Sequence, residues 1–372
     1  MEKILILHLI DHYKIGGPGK TILNSAKFIN NKFDIHIGVF QPSHCANDLL
    51  TAANKNNIPT IVLKDSIGLN IKNLFLLSKY IINNKITIVH SHGYKTNIIA
   101  LFVKLIAPQI KIVTTLHGWI VNNPKQYIYK LCDLVISFFF DGVICVSKAI
   151  YNSLPKFVQR KPSTKRIHNA IVIKDYDNNT DRTNIRKELA IEDEIFLIGI
   201  IGRLSKEKGC REAIELFHHL QTNNFSYKAI FIGEGPDKNM INSLIERYQL
   251  TDRVKIVGFK PYIQPYLAAL DLLLVPSFTE GISNVILESL TQKVPIIATK
   301  VGGTPEIIAN GYNGMLVHPG KPYEWYDTVI KLFSDEGLRR QITFNGFQVI
   351  SDKFSFYQRM LKVEQLYTQI LS

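Results

Sequence analysis

The chain has 372 residues, enough for two domains with separate hydrophobic cores. Hydrophobic residues make up 46% of it and charged residues 20%, which is typical of globular proteins and excludes disordered, collagen-like and disulfide-scaffold classes. The 44 lysines and arginines exceed the 31 acidic residues by 13, and this net charge favours a polyanionic partner, a phosphate-bearing ligand or an anionic membrane.

The excess positive charge belongs entirely to the first half of the chain. Through Ala170 there are 21 Lys+Arg and 7 Asp+Glu, a net of +14, whereas the remainder has 23 and 24, a net of −1. The basic residues of the first half are spread along it, with no run of like charge longer than two. This pattern predicts a basic face on a folded domain and not a basic tail.

Short β-branched segments alternate with longer helical patterns along nearly the whole chain, which is typical of parallel α/β sheets. The first half predicts strands at 3–10, 34–40, 60–63, 86–90, 111–116 and 142–146, and helices at 20–30, 71–83 and 94–106. The second half predicts strands at 195–201, 227–232, 254–257, 272–275, 295–298 and 315–317. Most of these strands lead through a Gly- or Pro-bearing loop into a helix.

This alternation predicts two Rossmann-like, doubly wound domains that face each other across a cleft, with ligands at the carboxyl ends of the strands. The first domain is predicted at 1–170 and the second at 191–353. A polar linker at 171–190, which contains KDYDNNTDRT, separates them. A final amphipathic helix at 354–372 follows a second domain that is complete without it.

The cysteines and the apolar segments indicate where such a protein would work. Four cysteines lie at unrelated spacings without a C-x-x-C pair, so neither a zinc site nor a disulfide framework is expected, and a reducing cytoplasmic compartment fits. The apolar first ten residues lead directly into charged ones and predict a strand. No apolar stretch reaches the roughly 20 residues that a membrane span requires.

The most informative stretch, PSFTEGISNVILE, follows the predicted strand at 272–275. Glu280 lies at the carboxyl end of that strand, and Ser283 can cap a helix that runs through Glu288. The two carboxylates would then be up to about 12 Å apart along the axis, and each could accept hydrogen bonds from hydroxyls at one end of an extended ligand. Backbone N–H groups at 282–284 would form a phosphate site between them. The pattern describes a nucleotide sugar, although two ordinary surface glutamates beside a capped helix would share the spacing.

Two further turns follow strands of the second half. In the first, Gly202-Arg203 and Lys208-Gly209 bring two cations to the sheet edge, where Arg could hold a diphosphate by a bidentate contact and Lys as a point charge. A solvated basic loop is the alternative. In the second, GGTPE at 302–306, the glycines permit close backbone approach, and the turn taken alone predicts only a helix start.

Together these motifs resemble glycosyltransferase family 4, whose members are retaining, nucleotide-sugar-dependent enzymes of the GT-B fold. The resemblance covers essentially the whole chain, and it also rests on Gly16-Gly17 after the first strand and on Thr115-Leu-His117-Gly118. It implies a first domain that binds an acceptor and a second domain that binds the nucleotide sugar. It also implies that the final helix at 354–372 packs back on the first domain, which its position after a complete second domain allows.

The resemblance implies the roles of the donor-binding residues in the second domain. Glu280 and the backbone of Gly281, Ile282 and Ser283 would hold the hydroxyls of the transferred sugar and the phosphate. Glu288 would bind the ribose hydroxyls.

The resemblance also implies the roles of four further residues and the route of the reaction. Arg203 and Lys208 would bind the diphosphate and stabilise the charge that builds on it as the glycosidic bond breaks. Gly17 would let a loop of the first domain close over the phosphates. His117 would reach the donor sugar, although a histidine that merely ends a strand is the alternative. Retention would follow a front-face route in which the leaving phosphate accepts the proton of the acceptor.

The sequence departs from the family pattern at two places. The usual Asn-Gly between the domains is His168-Asn169-Ala170, and Ser283 stands where Pro or Gly is frequent. Both lie beside the predicted cleft, so they put the hinge geometry and the fit of the donor in question. Neither removes a charged catalytic group.

Two motifs favour other chemistry weakly. The segment KIGGPGKT nearly matches a phosphate-binding P-loop, but Lys14 holds the position of its first glycine, and no strand ends in the Asp that would organise Mg²⁺. Asp175-Tyr-Asp177 is a D-x-D, the metal signature of a different glycosyltransferase fold, but it falls in the predicted linker. We therefore expect no metal and no cofactor, with the nucleotide sugar as co-substrate.

The sequence thus predicts a retaining glycosyltransferase that moves a hexose or N-acetylhexosamine from a nucleotide sugar, UDP favoured over GDP, to a saccharide acceptor. The basic first half favours a lipid-linked acceptor at an anionic membrane surface, in polysaccharide or lipopolysaccharide synthesis, for a cytoplasmic enzyme peripheral to the inner membrane face.

Two other functions remain open at this stage. A non-catalytic nucleotide-sugar-binding protein of the same fold could lose Glu280 or His117, and both are present. A nucleic-acid-binding protein would explain the net charge, but aromatic residues interleaved with basic ones are lacking, so we expect no nucleic-acid partner.

Overall fold

A computed structural model describes residues 3–11, 15–41, 46–64, 70–119, 123–173 and 182–372. The chain forms two compact units, Met1–Ala170 together with Phe356–Ser372, and Ile171–Ser355. Each unit is built on one parallel sheet with connecting helices, which confirms the predicted α/β, doubly wound class. None of the described helices is long and apolar enough to cross a membrane.

The first unit contains a seven-stranded sheet in the order β3-β2-β1-β4-β5-β6-β7. The strands are β1 (Ile4–Ile10), β2 (Phe33–Gln41), β3 (Thr60–Lys64), β4 (Ile88–His92), β5 (Lys111–Leu116), β6 (Gly142–Cys145) and β7 (Thr164–Arg166). The order reverses between β1 and β4, and in doubly wound sheets ligands bind at the carboxyl ends beside that point. Six strands match the prediction within two residues, whereas β7 is a short polar edge strand that hydrophobic patterning does not reveal.

The helices of this unit that precede the second are α1 (Gly17–Phe28), α2 (Asp48–Lys55), α3 (Ile71–Asn83), α4 (Tyr94–Ile106), α5 (Pro124–Ile136), α6 (Lys148–Ser153) and α7 (Lys156–Gln159). Helices α3 and α4 have the predicted bounds. A 3₁₀ turn, Ser137–Phe139, follows α5 directly.

The second unit contains a six-stranded sheet in the order β10-β9-β8-β11-β12-β13, with its reversal between β8 and β11. Its strands are β8 (Phe196–Ile201), β9 (Tyr227–Ile232), β10 (Val254–Gly258), β11 (Leu272–Val275), β12 (Ile296–Thr299) and β13 (Met315–Val317). Its helices are α8 (Arg182–Glu188), α9 (Cys210–Thr222), α10 (Lys238–Arg247), α11 (Gln264–Ala269), α12 (Asn284–Thr291), α13 (Thr304–Ile307), α14 (Pro322–Ser334) and α15 (Glu336–Lys353). Buried aliphatic and aromatic side chains line both faces of this sheet.

Helix α8 lies within the predicted linker at 171–190 but belongs to the second unit. Its Arg186 side chain is only 1% exposed and donates hydrogen bonds to the carbonyls of Ala269 (2.9 Å) and Glu192 (2.9 Å). The same guanidinium pairs with Asp271 at 3.3 Å. This buried cation, satisfied by carbonyls, lies beside a single buried apolar residue of the helix, Ile185, so the polar composition of the segment hides the helix.

The last helix, α16 (Phe356–Leu371), packs on the first unit. Its buried face includes Phe356, whose ring lies 5.5 Å from that of Phe28 at the end of α1. Tyr367 on the same face lies with its hydroxyl 2.6 Å from Nδ1 of His90 in β4. The helix therefore supplies part of the core of a unit whose other elements lie far away in the sequence.

Candidate active site

The Glu280 carboxylate is held in a fixed position at the carboxyl edge of the second sheet, in the loop between β11 and α12. Its Oε1 accepts hydrogen bonds from Lys208 Nζ (2.6 Å) and from Ser277 Oγ (2.7 Å). The Glu280 side chain is 9% exposed, so both bonds form in a partly desolvated setting where charge-assisted bonds are strong. Oε2 has no hydrogen-bond partner among the residues that the structure describes, which leaves it available to a ligand hydroxyl.

Close backbone packing brings Lys208 to this carboxylate. Lys208 ends a 3₁₀ turn, and Gly209, which follows it with a φ of 68°, precedes α9. A Cβ at Gly209 would lie 2.0 Å from the carbonyl oxygen of Pro276, so only glycine permits this approach of the two loops. In the K-G pair of the sequence motif, the glycine therefore permits the close approach of the two loops, and this approach brings the lysine within hydrogen-bonding distance of Glu280.

The G-G-x-x-E turn supports Glu280 from the other side. Gly303 N–H donates a hydrogen bond to the carbonyl of Glu280 at 3.1 Å. A Cβ at Gly302, whose φ is 52°, would lie 1.8 Å from that same carbonyl oxygen. The three motifs of the second half thus converge on one residue, and α13 confirms the helix start predicted at this turn.

Ser283 takes the predicted cap position of α12, but its side chain forms no capping hydrogen bond. Glu288 lies within α12 and is 2% exposed, so it is not the surface glutamate of the alternative interpretation.

Arg203 is placed differently from Lys208. It follows β8 as predicted, but its guanidinium is exposed and makes no hydrogen bond or ion pair with any described residue. The structure therefore brings together Lys208 and Glu280 and leaves Arg203 outside that cluster.

In the first unit, His117 ends a chain of three hydrogen-bonded imidazoles. His117 follows β5, and its Nε2 lies 3.3 Å from Nδ1 of His92 at the end of β4. Nε2 of His92 lies 2.9 Å from Nδ1 of His8 in β1. The chain therefore runs from the buried centre of the sheet, at the reversal of the strand order, to the predicted site residue.

Burial keeps the two inner histidines of this chain, His8 and His92, neutral. It lowers the pKa of His8 to about 3, and it lowers the pKa of His90 and His92, with further lowering from the Arg359 guanidinium. Nε2 of His8 is buried without a partner among the described residues. A buried acceptor nitrogen without a partner costs less free energy than a buried N–H without one, so the proton of neutral His8 lies on Nδ1. Each imidazole then donates to the next, and Nε2 of His117 accepts.

A second network fixes the backbone after His117. Asp133 of α5 accepts hydrogen bonds from Asn97 Nδ2 (2.6 Å) and from Trp119 Nε1 (2.9 Å). Asp133 is buried, and desolvation raises its pKa. The indole of Trp119 ties the loop to α4 and α5 only two residues after His117.

His8, His90 and His92 are also the described group whose geometry could hold a metal, with ligand atoms within 4.8 Å of one another. Their chemistry favours hydrogen bonds instead. Nε2 of His90 lies 2.7 Å from Thr115 Oγ1, its Nδ1 contacts Tyr367, and the buried Arg359 guanidinium would repel a cation. The absence of a metal from the reaction stays a prediction.

Two family models match this chain, and together they cover most of its length. The family model described as "Glycosyltransferase Family 4" matches residues 15–174, and "Glycosyl transferases group 1" matches residues 181–349. The chain belongs to glycosyltransferase family 4. Its identification as an enzyme of this family confirms the resemblance and decides against the two non-catalytic alternatives.

This glycosyltransferase resembles relatives along most of its length. N-acetyl-α-D-glucosaminyl L-malate synthase of Bacillus anthracis is 27% identical over 277 residues, 72% of this chain and 70% of that protein. The UDP-Gal:α-D-GlcNAc-diphosphoundecaprenol α-1,3-galactosyltransferase of Escherichia coli is 22% identical and is matched over 98% of its length. HepE of Anabaena, solved with UDP-glucose, superposes with a TM-score of 0.86 over 98% of this chain and 100% of that one, at 22% identity. These structures confirm the GT-B fold.

Sequence reasoning missed several residues of the two sites of the glycosyltransferase. Ser277, which orients Glu280, stands three residues before it in the same motif and could have been found as a hydroxyl within reach of a carboxylate. The H-x-H pair His90 and His92 at the end of β4 was a visible signal for the histidine chain. His8, in an otherwise apolar strand, gave none.

Parts of the prediction remain untested. Gly17 is the first residue of α1, with Gly16 in the cap position, but closure over phosphates stays a prediction. Lys14 of the near P-loop and Asp175 and Asp177 of the D-x-D lie outside the described residues.

Proposed function

We propose that this glycosyltransferase transfers a hexose or N-acetylhexosamine from a UDP-sugar to a lipid-linked saccharide acceptor, with retention of configuration, in the synthesis of a cell-surface polysaccharide or lipopolysaccharide. The observation that carries the proposal is the Glu280 carboxylate, oriented by Lys208 and Ser277 and with one oxygen available for a sugar hydroxyl. Such a carboxylate at the end of a doubly wound sheet accepts hydrogen bonds from sugar hydroxyls and repels a phosphate.

Lys208 has two successive partners in this proposal. Before the donor binds, its ammonium neutralises Glu280. A bound diphosphate offers a stronger and more negative partner, so Nζ turns to the phosphate oxygens and Glu280 Oε1 becomes free for a second sugar hydroxyl. Arg203, exposed at the same sheet edge, adds a second cation to the diphosphate.

The chemical step follows from these positions. The bond between the anomeric carbon and the β-phosphate oxygen breaks, and the acceptor hydroxyl forms its bond to the same face of that carbon. The proton of the acceptor hydroxyl passes to the leaving phosphate oxygen. Lys208 and Arg203 stabilise the negative charge that develops there, an electrostatic effect that is commonly the largest contribution to catalysis. In the donor complex Ser277 and the sugar hydroxyls engage Glu280, so it positions the sugar and does not attack it.

Donor and acceptor classes are supported by charge and by the relatives. The Escherichia coli relative is named for UDP-Gal and for a diphosphoundecaprenol-linked acceptor, and HepE was solved with UDP-glucose. The first half of this chain has a net charge of +14, which suits an acceptor presented at an anionic membrane surface. A cytoplasmic, peripheral enzyme fits both.

The experiment compares Glu280→Gln with the wild type on a panel of UDP- and GDP-sugars. Thermal shift reports donor binding, release of nucleoside diphosphate reports turnover, and NMR reports the anomeric configuration of the product. We expect stabilisation of both proteins by a UDP-sugar and a loss of turnover of about 10²-fold or more in the variant, the usual scale for an oriented catalytic group. Glu288→Gln, the control, should weaken donor binding instead. Wild-type turnover in Glu280→Gln, or an inverted product, would contradict the proposal.

A further inference from the structure

The first unit exposes an apolar surface that its own core does not use. Helix α5 carries apolar residues at the spacing that normally marks a core-facing stripe, yet this stripe faces solvent. The 3₁₀ turn after α5 and helix α7 continue it. We call this surface the apolar ridge. Its seven side chains, between 44% and 61% exposed, are Tyr127, Ile128, Leu131, Val135, Phe138, Phe139 and Phe157.

The ridge is contiguous. Phe138 packs against Phe139 with ring centroids 5.6 Å apart and against Phe157 at 5.2 Å, which joins the end of α5 to α7. Lys161 holds the turn in place, because its Nζ donates hydrogen bonds to the carbonyls of Phe138 (2.8 Å) and Phe140 (2.6 Å). Buried Asp133 and Leu134 anchor the opposite side of α5. The apolar side chains therefore stand on a rigid support and are not a loosely packed loop.

The charges around the ridge have one sign. The segment 124–166 contains eight lysines and arginines and two aspartates, a net of +6. Neither aspartate is exposed as a free charge, because Asp133 is buried and Asp141 pairs with Lys104. Lys156 and Arg160 stand exposed on either side of Phe157.

We propose that the apolar ridge inserts into the interfacial layer of an anionic lipid bilayer, with Lys156, Arg160 and their basic neighbours on the headgroups. A solvent-facing apolar stripe rich in aromatic residues, flanked by cations and without exposed carboxylates, is the pattern of a segment that lies in a membrane interface. A second copy of the chain suits the surface less well, since a two-fold contact would bring the same cations together. This proposal identifies the membrane surface at which the proposed function would take place. It rests on the proposed function only for the reason why the enzyme binds a membrane, which is access to a lipid-linked acceptor.

Insertion and simple electrostatic attraction differ in their response to salt. At about 1 M NaCl the Debye length falls to about 3 Å, which removes attraction between exposed charges but leaves the burial of apolar side chains intact. The assay is flotation with vesicles of phosphatidylcholine containing one third phosphatidylglycerol. We expect binding at low salt that is reduced but retained at high salt.

The ridge variant is Leu131→Ser with Phe139→Ser, and the matched control is Tyr323→Ser with Phe344→Ser, two exposed aromatics of the second unit. Phe139 and Phe344 are equally exposed, at 61%. We expect the ridge variant to bind vesicles about 10-fold or more weakly, the scale for loss of one or two inserted apolar side chains, and the control to bind as the wild type does. Lys156→Gln with Arg160→Gln should weaken binding at low salt only.

A fluorophore on Cys132 can report how deeply the ridge inserts into the bilayer, because this residue is exposed on α5 beside the ridge. Burial raises the pKa of Cys145 to about 12 and of Cys210 to about 11, so a thiol reagent at neutral pH labels Cys132 in a Cys45→Ser background. A bimane on Cys132 should shift to shorter emission wavelengths with the vesicles.

Several outcomes would overturn the proposal. They are complete release at high salt, unchanged binding of the ridge variant, no shift of the bimane, or a dimer in lipid-free solution that the ridge variant converts to a monomer while vesicle binding stays. Turnover of a UDP-sugar in solution is measured separately. Its absence would contradict the proposed function and would leave the result with vesicles standing.

Discussion

Lys208 is the charged residue on which donor binding and catalysis both depend in the proposed mechanism, and its neighbour Lys206 in the same 3₁₀ turn is exposed. Lys208→Met removes the ammonium and keeps most of the side-chain volume. We expect kcat/KM for the nucleotide sugar to fall by about 10²- to 10³-fold, because the developing phosphate charge loses a preorganised partner. Lys206→Met is the control and should leave kcat/KM nearly unchanged. Equal effects in both variants would mean that the turn supplies only a diffuse positive field.

His92 tests the direction of the histidine chain. Nδ1 of His92 donates to Nε2 of His117 in this direction of the chain, so His92 orients the His117 ring. His92→Asn keeps a donor near Nδ1, whereas His92→Leu does not.

We expect His92→Leu to lower kcat about 10-fold or more, because His117 loses the donor that orients its ring, with His92→Asn intermediate. Thermal unfolding of both variants separates this effect from lost stability. If both variants lose kcat in proportion to their stability, His92 is only a core residue.

Among the elements of the second unit, glycines determine how closely neighbouring loops approach one another. Gly302 and Gly311 both have positive φ, 52° and 76°, but a Cβ at Gly302 meets the Glu280 carbonyl whereas a Cβ at Gly311 meets nothing within 4 Å. Alanine at either position costs about 1 kcal/mol for the backbone conformation. Gly302→Ala must in addition displace the loop that carries Glu280.

We therefore expect Gly302→Ala to lose donor-induced thermal stabilisation and most turnover, and Gly311→Ala to lose only about 1 kcal/mol of unfolding free energy while it keeps its activity. Calorimetry with and without a UDP-sugar measures both quantities. Full activity in Gly302→Ala would show that the Glu280 loop tolerates the shift.

The elements also show what the sequence could predict and what it could not. Helix α3 has a helical apolar period and an Asn70 cap that accepts from Lys72 and Asn73, so local chemistry alone sets its bounds. Helix α8 and strand β7 were missed because Arg186, Thr164 and their neighbours are polar, and only tertiary contacts make them part of a core. Helix α5 follows the helical rule, but its stripe faces outward, which periodicity cannot reveal.

The sequence predicts which residues belong to the candidate site, but it does not predict which of them contact one another. Glu280, Lys208 and the glycines stood out because each lies in a loop that follows a strand of a parallel sheet. The ion pair between Lys208 and Glu280 joins residues 72 positions apart, and it depends on the approach of Gly209 to Pro276, which no local pattern encodes. The histidine chain likewise required the pairing of β1 with β4.

For the whole molecule, the buried histidines predict unequal stability of the two units in acid. Every buried histidine of the described residues lies in the first unit. The pKa of His8 is about 3 in the folded protein and near 6.5 when unfolded, so the unfolded state binds more protons between these values and the free energy of unfolding decreases as the pH falls below 6.5. The pKa values of His90 and His92 shift in the same direction, with His117, Arg359 and Tyr367 facing them.

Each of the three histidines contributes a loss of up to about 1.4 kcal/mol per pH unit in this range. We expect acidification from about pH 7.5 to about pH 5 to lower the melting temperature of the first unit more than that of the second. Trp119 fluorescence in a Trp325→Phe variant follows the first unit, and Trp325 fluorescence in Trp119→Phe follows the second. Parallel shifts of both transitions would contradict the prediction.

Helix α16 has a consequence for how the protein is synthesised. The first unit needs this helix to cover His90 and to pack against Phe28, yet the 185 residues of Ile171–Ser355 are translated in between. At about 5–20 residues per second, the ribosome takes about 10 to 40 s to bridge that interval. During this time the nascent first unit presents an uncovered histidine face beside its apolar ridge, so it is a substrate for chaperones until the second unit has left the ribosome.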